Sequence, residues 1–255
     1  MVEPLRAPDD RPVQGNAVLV VTAGVDVGST IAAGLAARGT RVAWLTDSTE
    51  VATMTLSSMV TRIGACFASR RDVERGFAEA IGVLGPIRQV VHSAMPASAL
   101  EACDFETLSE HRWAASCGAA MKSTLYCLQA AFTQMAERGG SIVVLGPSLS
   151  LAGAAGLVAL SAAVEGQRGL VKSTARQWGR RGLTVNWIAA APASLSSRFD
   201  AATLPRKPDP VPIAFGRAPD LQAEIVPVIE FLGSEAGRAM TGATLLLDGG
   251  EWMVP

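Results

Sequence analysis

Tyrosine is nearly absent from this chain: Tyr126 is the only one in 255 residues, and the residue four positions later is Ala130. No Tyr-x-x-x-Lys pair occurs anywhere, so no ammonium follows a phenol by one helical turn. Lysine is scarce too, with only Lys122, Lys172 and Lys207. The histidines are His92 and His111, and the cysteines Cys66, Cys103, Cys117 and Cys127 have no C-x-x-C spacing. A metal site is therefore not expected, and the cysteines read as reduced, packed thiols of a cytoplasmic protein. The net charge of -1 gives no surface for a polyanion, so nucleic acid is not an expected partner. No apolar run is long enough to span a membrane; the stretch from Leu149 to Val164 is short and rich in Gly, Ala and Ser. Residues 1–14 hold acids and three prolines without an apolar run, which predicts a flexible tail and neither a signal peptide nor an anchor.

What is present is apolar: 49% of the residues are hydrophobic, enough for one sizeable α/β domain over residues 15–255. Apolar runs at Ala17–Thr22, Arg41–Leu45, Gln89–His92, Ser141–Leu145, Leu183–Ile188 and Thr244–Leu247 predict strands, with a weaker one at Ala65–Ala68. Between them, helices are predicted at Thr30–Arg38, near Asp72–Val83, from Glu106 to Ala136, within Ala154–Arg181 and over Leu221–Leu232. Arg180 and Arg181 suit the negative end of the fourth helix dipole. Strands alternating with helices predict right-handed crossovers and a doubly wound, mostly parallel seven-stranded sheet of Rossmann type. Residues 192–219 contain six prolines and read as a long loop, lid-like over 192–220.

Several short motifs, in this order and spacing, resemble the short-chain dehydrogenase/reductase (SDR) family. They are Gly140-Ser141-Ile142-Val143, Gly169-Leu170-Val171-Lys172, Val185-Asn186 after Gly182, and Thr241-Gly242 followed by Leu247-Asp248-Gly249-Gly250. The resemblance covers nearly the whole chain. It implies hydride chemistry in which a Tyr acts on the substrate oxygen and a Lys holds the cofactor ribose. Counted from these landmarks, the family's Tyr falls on Leu160 and its Lys on Val164. Its Ser falls on Pro147 and its relay Asn on Ala120. None of these four side chains can transfer a proton, so no catalytic residue is expected.

The family's glycine-rich turn is similar to Thr22-Ala23-Gly24-Val25-Asp26-Val27-Gly28, one residue short. Thr22, Gly24 and Gly28 stand as its remnants, and Asp26 brings a carboxylate towards the phosphates. Asp47 lies one place from the acid that would hold an adenine ribose. Cys66-Phe67 replace the acid that would meet adenine, and His92-Ser93-Ala94-Met95 stand where the family has NNAG. Ala190-Ala191 replace its PG. The resemblance thus implies that this chain binds no cofactor, and that NAD(H) or NADP(H) belongs to an active partner.

Other side chains offer alternatives. His92 has a suitable ordinary pKa of about 6.5 but reads better as a histidine satisfied by backbone at a sheet edge. Ser148 and Ser150 read as loop hydroxyls. Lys122 lies two residues from Ala120, roughly 200° around a helix, and is not expected to enter the cleft on that face. Asp104 and Glu106 read as helix-start charges, and Tyr126 as a packing or interface residue.

Two functions follow. The first is a non-catalytic SDR subunit that assembles with an active SDR paralogue, in a heterotetramer. This resembles the degenerate subunit type of heteromeric dehydrogenases that oxidise 2-[hydroxy(phenyl)methyl]succinyl-CoA. The second is a non-redox cyclase or lyase on the same fold, using His92 or Ser148.

Overall fold

The computed structural model describes residues 17–24, 27–47, 57–199 and 213–253. The expected tail 1–14, Asp26 and residues 200–212 of the long loop lie outside the described residues. Seven strands form one sheet in the order β3-β2-β1-β4-β5-β6-β7. They are β1 (Ala17–Gly24), β2 (Arg41–Thr46), β3 (Val60–Gly64), β4 (Gln89–Met95), β5 (Gly140–Pro147), β6 (Leu183–Ala190) and β7 (Thr244–Leu247). Every neighbouring pair is parallel, so the sheet is wholly parallel rather than mostly so. Helices cover both faces, which explains why the central strands are apolar runs without polar alternation.

The third strand is Val60–Gly64, whereas Ala65–Ala68 forms the turn that follows it. Strand β3 sits at the sheet edge against β2. Only Val60 and Ile63 are buried within it, so its apolar signal is diluted by Thr61, Arg62 and Gly64. Helix α1 (Gly28–Ala37) follows β1, and α2 (Arg70–Leu84) starts at Ser69, whose hydroxyl accepts the Asp72 N–H at 3.2 Å.

The expected long helix from Glu106 begins later. Phe105–Thr107 is a separate 3₁₀ turn. Helix α3 (Glu110–Trp113) starts at the Ser109 cap and passes through a wider turn at Ala114–Gly118 into α4 (Ala119–Met135). The Ser109 hydroxyl supplies the N-terminal acceptor that Asp104 and Glu106 do not. Helix α5 (Val158–Trp178) ends through a 3₁₀ turn, Gly179–Arg181, on the left-handed Gly182. A short turn α6 (Pro192–Leu195) opens the long loop. Helix α7 (Val226–Gly233) is preceded by a wide turn at Leu221–Ile225, capped by Asp220.

The core fills both faces of the sheet, with Trp44 and Trp187 wholly buried. Several buried polar side chains within it are paired across elements, which offsets their desolvation. Gln89 Nε2 donates to the Ile229 carbonyl at 2.6 Å and ties α7 to the sheet. Asn186 donates to the Met240 carbonyl at 2.7 Å and accepts the Ala243 N–H at 3.1 Å, fixing the return into β7. Strand order reverses between β1 and β4, so a crevice opens beyond their C-terminal ends, where folds of this kind bind ligands.

Candidate functional site

The crevice is framed by the last residues of β1, β4, β5 and β6 and by the start of α1. Gly24 closes β1 with φ +91°, and a methyl group there would overlap the Met95 carbonyl. Gly28, the first residue of α1, lies so close to the sheet that a methyl group would overlap the Trp44 indole and the Thr22 hydroxyl. These two side groups are joined by a 2.8 Å hydrogen bond from Trp44 Nε1. The outer glycines of the turn thus keep two roles, a left-handed bend and close helix–sheet packing. The Gly24 N–H is directed to Asp47, at 3.1 Å from Oδ1.

The four positions that should carry the chemistry are closed. Ala120 and Leu160 are 0% exposed and Val164 is 1% exposed. Pro147 is buried at the end of β5, in register with Ala190. Ala120, on α4, and Leu160 and Val164, on α5, point into packed side chains.

A buried polar network joins His92, a candidate from the sequence, to Thr124 and Gln167, which motif spacing missed. His92 is wholly buried on β4, which lies between β1 and β5, so it sits mid-sheet rather than at an edge. Its Nδ1 donates to the Val21 carbonyl at 3.0 Å, which leaves Nε2 as the acceptor, 3.1 Å from the Thr124 hydroxyl. Thr124 also lies 3.0 Å from the Ala120 carbonyl and accepts from Gln167 Nε2 at 3.0 Å. Gln167 reaches the Ala94 carbonyl at 3.3 Å as well. Burial lowers the His92 pKa to about 4, against the opposing effect of the Val21 bond, so the ring is neutral near pH 7. The signal for this network is one threonine and one glutamine within otherwise apolar helix faces: Thr124 four residues after Ala120, Gln167 three after Val164.

Ser148 is also wholly buried; its hydroxyl donates to Glu251 at 3.5 Å. Ser150 is buried at its hydroxyl. His92 and Ser148 therefore belong to different polar groups. Tyr126 is half-buried and packs against the core, as a packing residue should. Among the described residues no group of three or more His, Cys, Asp or Glu could hold a metal ion. No helix among them is long and apolar enough to cross a membrane.

Two open clefts flank the start of α1. One, of about 650 Å³, is bordered by Gly24, Asp47, Phe67, Pro96, Lys122 and Ser123 among others. Lys122 thus does border the crevice. It shares a face of α4 with Ala119 and Ser123, while Ala120 turns into the core. The other cleft, of about 800 Å³, lies between Thr30 of α1, Ser194–Ser197 and Arg217–Glu224. Arg217 and Glu224 make a bidentate pair there at 2.6 and 2.9 Å, which holds the Glu224 carboxyl down at about 2.

The sequence model described as enoyl-(acyl carrier protein) reductase matches residues 24–251. A 3-ketoacyl-(acyl-carrier-protein) reductase from Brucella melitensis, complexed with NADH, superposes with a TM-score of 0.79 at 17% identity over 93% of this chain and 98% of that one. A blue fluorescent protein from a metagenomic library, in complex with NADPH, gives 0.75 at 24% identity over 94% and 99%. A short-chain dehydrogenase/reductase from Serratia marcescens gives 0.77 at 24% identity over 94% and 99%. No curated protein sequence matches the chain. The wholly parallel sheet, the glycine turn at its switch point and a sequence match over most of its length lead to one conclusion: this protein belongs to the short-chain dehydrogenase/reductase family.

Proposed function

We propose that this chain is a non-catalytic SDR subunit that assembles with, and stabilises, an active NAD-dependent SDR alcohol dehydrogenase paralogue. The observation that carries the proposal is the state of the four family positions. Ala120, Pro147, Leu160 and Val164 are all apolar and all buried. A positioned general acid is worth roughly 10²–10⁴ in rate, and groups acting as a unit lose most of that together. A chain with none of the four retains no proton path of the family kind.

The same residues suit a nicotinamide dinucleotide poorly. Val164 offers an isopropyl group where the family's lysine holds a ribose, and Met95 is packed into the core where the family has a glycine. One Asp47 oxygen is already engaged by the Gly24 amide. On this reading the chain binds no NAD(H) or NADP(H), and the dinucleotide belongs to the partner.

Exposed apolar side chains supply an assembly surface. Trp113 and Leu125, at 38% and 39% exposure, lie on the α3–α4 run, and Gly169 on α5, with open space at its Cβ, permits close approach of another helix. Phe231 on α7 and Met253 after β7 are also exposed, at 41% and 80%, and the edge strand β7 is half-buried. Apolar and aromatic groups of this kind are enriched in interface cores. The assembly is a heterotetramer, with an acyl-CoA alcohol as the partner's substrate by the resemblance to heteromeric dehydrogenases. The test is co-expression with an intact SDR encoded beside this chain, followed by native mass measurement. A four-subunit particle containing both chains is expected; a stable monomer that ignores every such paralogue overturns the proposal. A cyclase or lyase would instead form a stable homo-oligomer and turn over substrate alone.

A further inference from the structure

Helix α5 turns one face fully outward. Glu165, Gly169, Lys172 and Arg176 recur at three- and four-residue spacing and are all exposed, opposite the buried Leu160, Val164, Val171 and Ala175. Arg180 and Arg181 continue this face in exposed positions past the helix end. The Gly140 N–H bonds to the Gly182 carbonyl at 3.1 Å, which brings the exposed Arg138 to the same end of the molecule. Between Trp113 and Phe199 the only acids are Glu137 and Glu165, and Glu165 is held by Arg168 at 2.7 Å. The side chains of Lys172, Arg176, Arg180 and Arg181 make no ion pair or hydrogen bond among the described residues.

Other parts of the surface are built differently. On α2, Arg70 pairs with Glu74, and Arg75 with Asp72 and Glu79. Around α7, Arg38 pairs with Glu230 and Arg238 with Glu235. The whole chain carries a net charge of -1, so the basic ridge on α5 is a local feature. The helix itself does not account for it. A helix dipole favours cations within the last turn, and Lys172 lies more than a turn before the end at Trp178. Lys172 and Arg176, one turn apart, repel each other as like charges do at that spacing.

A two-fold contact of this face with its own copy would set cations against cations, because an isologous patch meets itself. A partner helix bearing carboxylates would neutralise them. Gly169 stands on the same face with open space at its Cβ, so a second helix can come close enough for flanking side chains to meet. We infer that the α5 ridge selects the partner by charge: it docks a carboxylate-rich helix face of the active SDR paralogue and turns away a second copy of this chain. The inference rests on the subunit reading and adds a rule to it. Apolar contacts hold the particle together, and the ridge decides that it is mixed, with like-charge repulsion acting against the wrong pairing.

The experiment is native mass measurement across a dilution series, on the full-length chain alone and co-expressed with the intact SDR encoded beside it. Wild type is compared with three triple variants. Lys172→Gln/Arg176→Gln/Arg180→Gln removes the charge, Lys172→Glu/Arg176→Glu/Arg180→Glu reverses it, and Lys172→Arg/Arg176→Lys/Arg180→Lys keeps it. All three positions are exposed, so the variants should fold, and their melting temperatures provide the check. The Gln variant should weaken the mixed particle about tenfold or more and the Glu variant further, while the charge-keeping variant assembles as wild type does. Raising NaCl from about 0.05 to 0.5 M should weaken the wild-type particle and affect the Gln variant much less. Equal affinity of wild type and the Gln variant, a wild-type particle indifferent to salt, or a wild-type homo-oligomer that the Glu variant abolishes each overturns the inference. These failures leave the subunit reading intact, because a mixed particle still forms. Absence of any mixed particle overturns both.

Discussion

Burial of His92 makes the stability of this protein sensitive to mild acid. The ring is wholly buried, donates from Nδ1 to the Val21 carbonyl and accepts at Nε2 from the Thr124 hydroxyl. Thr124 and Gln167 are its polar neighbours, with no carboxylate among them to compensate an imidazolium. Desolvation therefore outweighs the Val21 bond and sets the native pKa at about 4, against 6.5 for the free side chain. Between those two values the unfolded chain binds more protons than the native one. Stability thus rises with pH across that window, and is lost as pH falls from 6.5 towards 4. The whole span corresponds to about 3 kcal/mol at 1.36 kcal/mol per pKa unit, and about 2 kcal/mol of it falls between pH 7 and pH 5. His92→Gln keeps a polar side chain but removes the titration. Urea unfolding of both proteins at pH 7 and pH 5 isolates the effect, since all carboxylates and His111 are common to the two. The wild type should lose about 2 kcal/mol more than the variant over that interval. Equal losses would mean that His92 is protonated as easily in the native state as in the unfolded chain, and the account of the buried network would be wrong.

Leu160→Tyr combined with Val164→Lys should create no ketone reductase activity and should lower stability by several kcal/mol, because a phenol and an ammonium are forced into sites no more than 1% exposed. Measurable turnover would show that the crevice is far more open than its packing implies. Gly28→Ala should cost about 1–3 kcal/mol through overlap with Trp44 and Thr22, while Gly82→Ala, in the interior of α2 with open space at its Cβ, should be neutral or slightly stabilising. Thermal melts of the pair test the close approach, and equal melting temperatures would refute it. Trp113→Glu, on the exposed apolar run before α4, should prevent assembly with the paralogue while leaving the circular dichroism of this chain unchanged; unimpaired assembly in native mass spectra would place the interface elsewhere.

Much of the fold was legible because its signals are local. Strand β7 was read at its exact ends, and β1, β2, β4, β5 and β6 were found one to three residues short at their C-terminal ends. Their apolar runs lie in a sheet covered on both faces, so the burial pattern is written in consecutive residues. The misread elements share a cause. Strand β3 is at an edge, and Thr61, Arg62 and Gly64 hide its two buried positions. The helix before α4 starts at Ser109 rather than near Glu106, because a hydroxyl aimed at the Arg112 N–H ends the preceding turn, and acidic residues alone do not mark that point. Ala120, Pro147, Leu160 and Val164 could be numbered from flanking motifs, but whether they faced solvent or core could not.

What the sequence determined by itself is the absence of the Tyr-x-x-x-Lys motif and the alternation of elements. With one tyrosine, three lysines and no Tyr-x-x-x-Lys pair, no folding of this chain can supply the missing proton donor from that motif, since residue identity is independent of conformation. Tertiary structure decided which polar groups meet. His92, Thr124 and Gln167 lie 32 and 43 residues apart in successive steps, and only the packing of α4 and α5 against β4 brings them together. The same packing turns Ala120 inwards and leaves Lys122 and Ser123 on the wall of an open cleft. Helical periodicity places those side chains on different faces, but which face meets the core and which the crevice depends on how the helix is seated on the sheet.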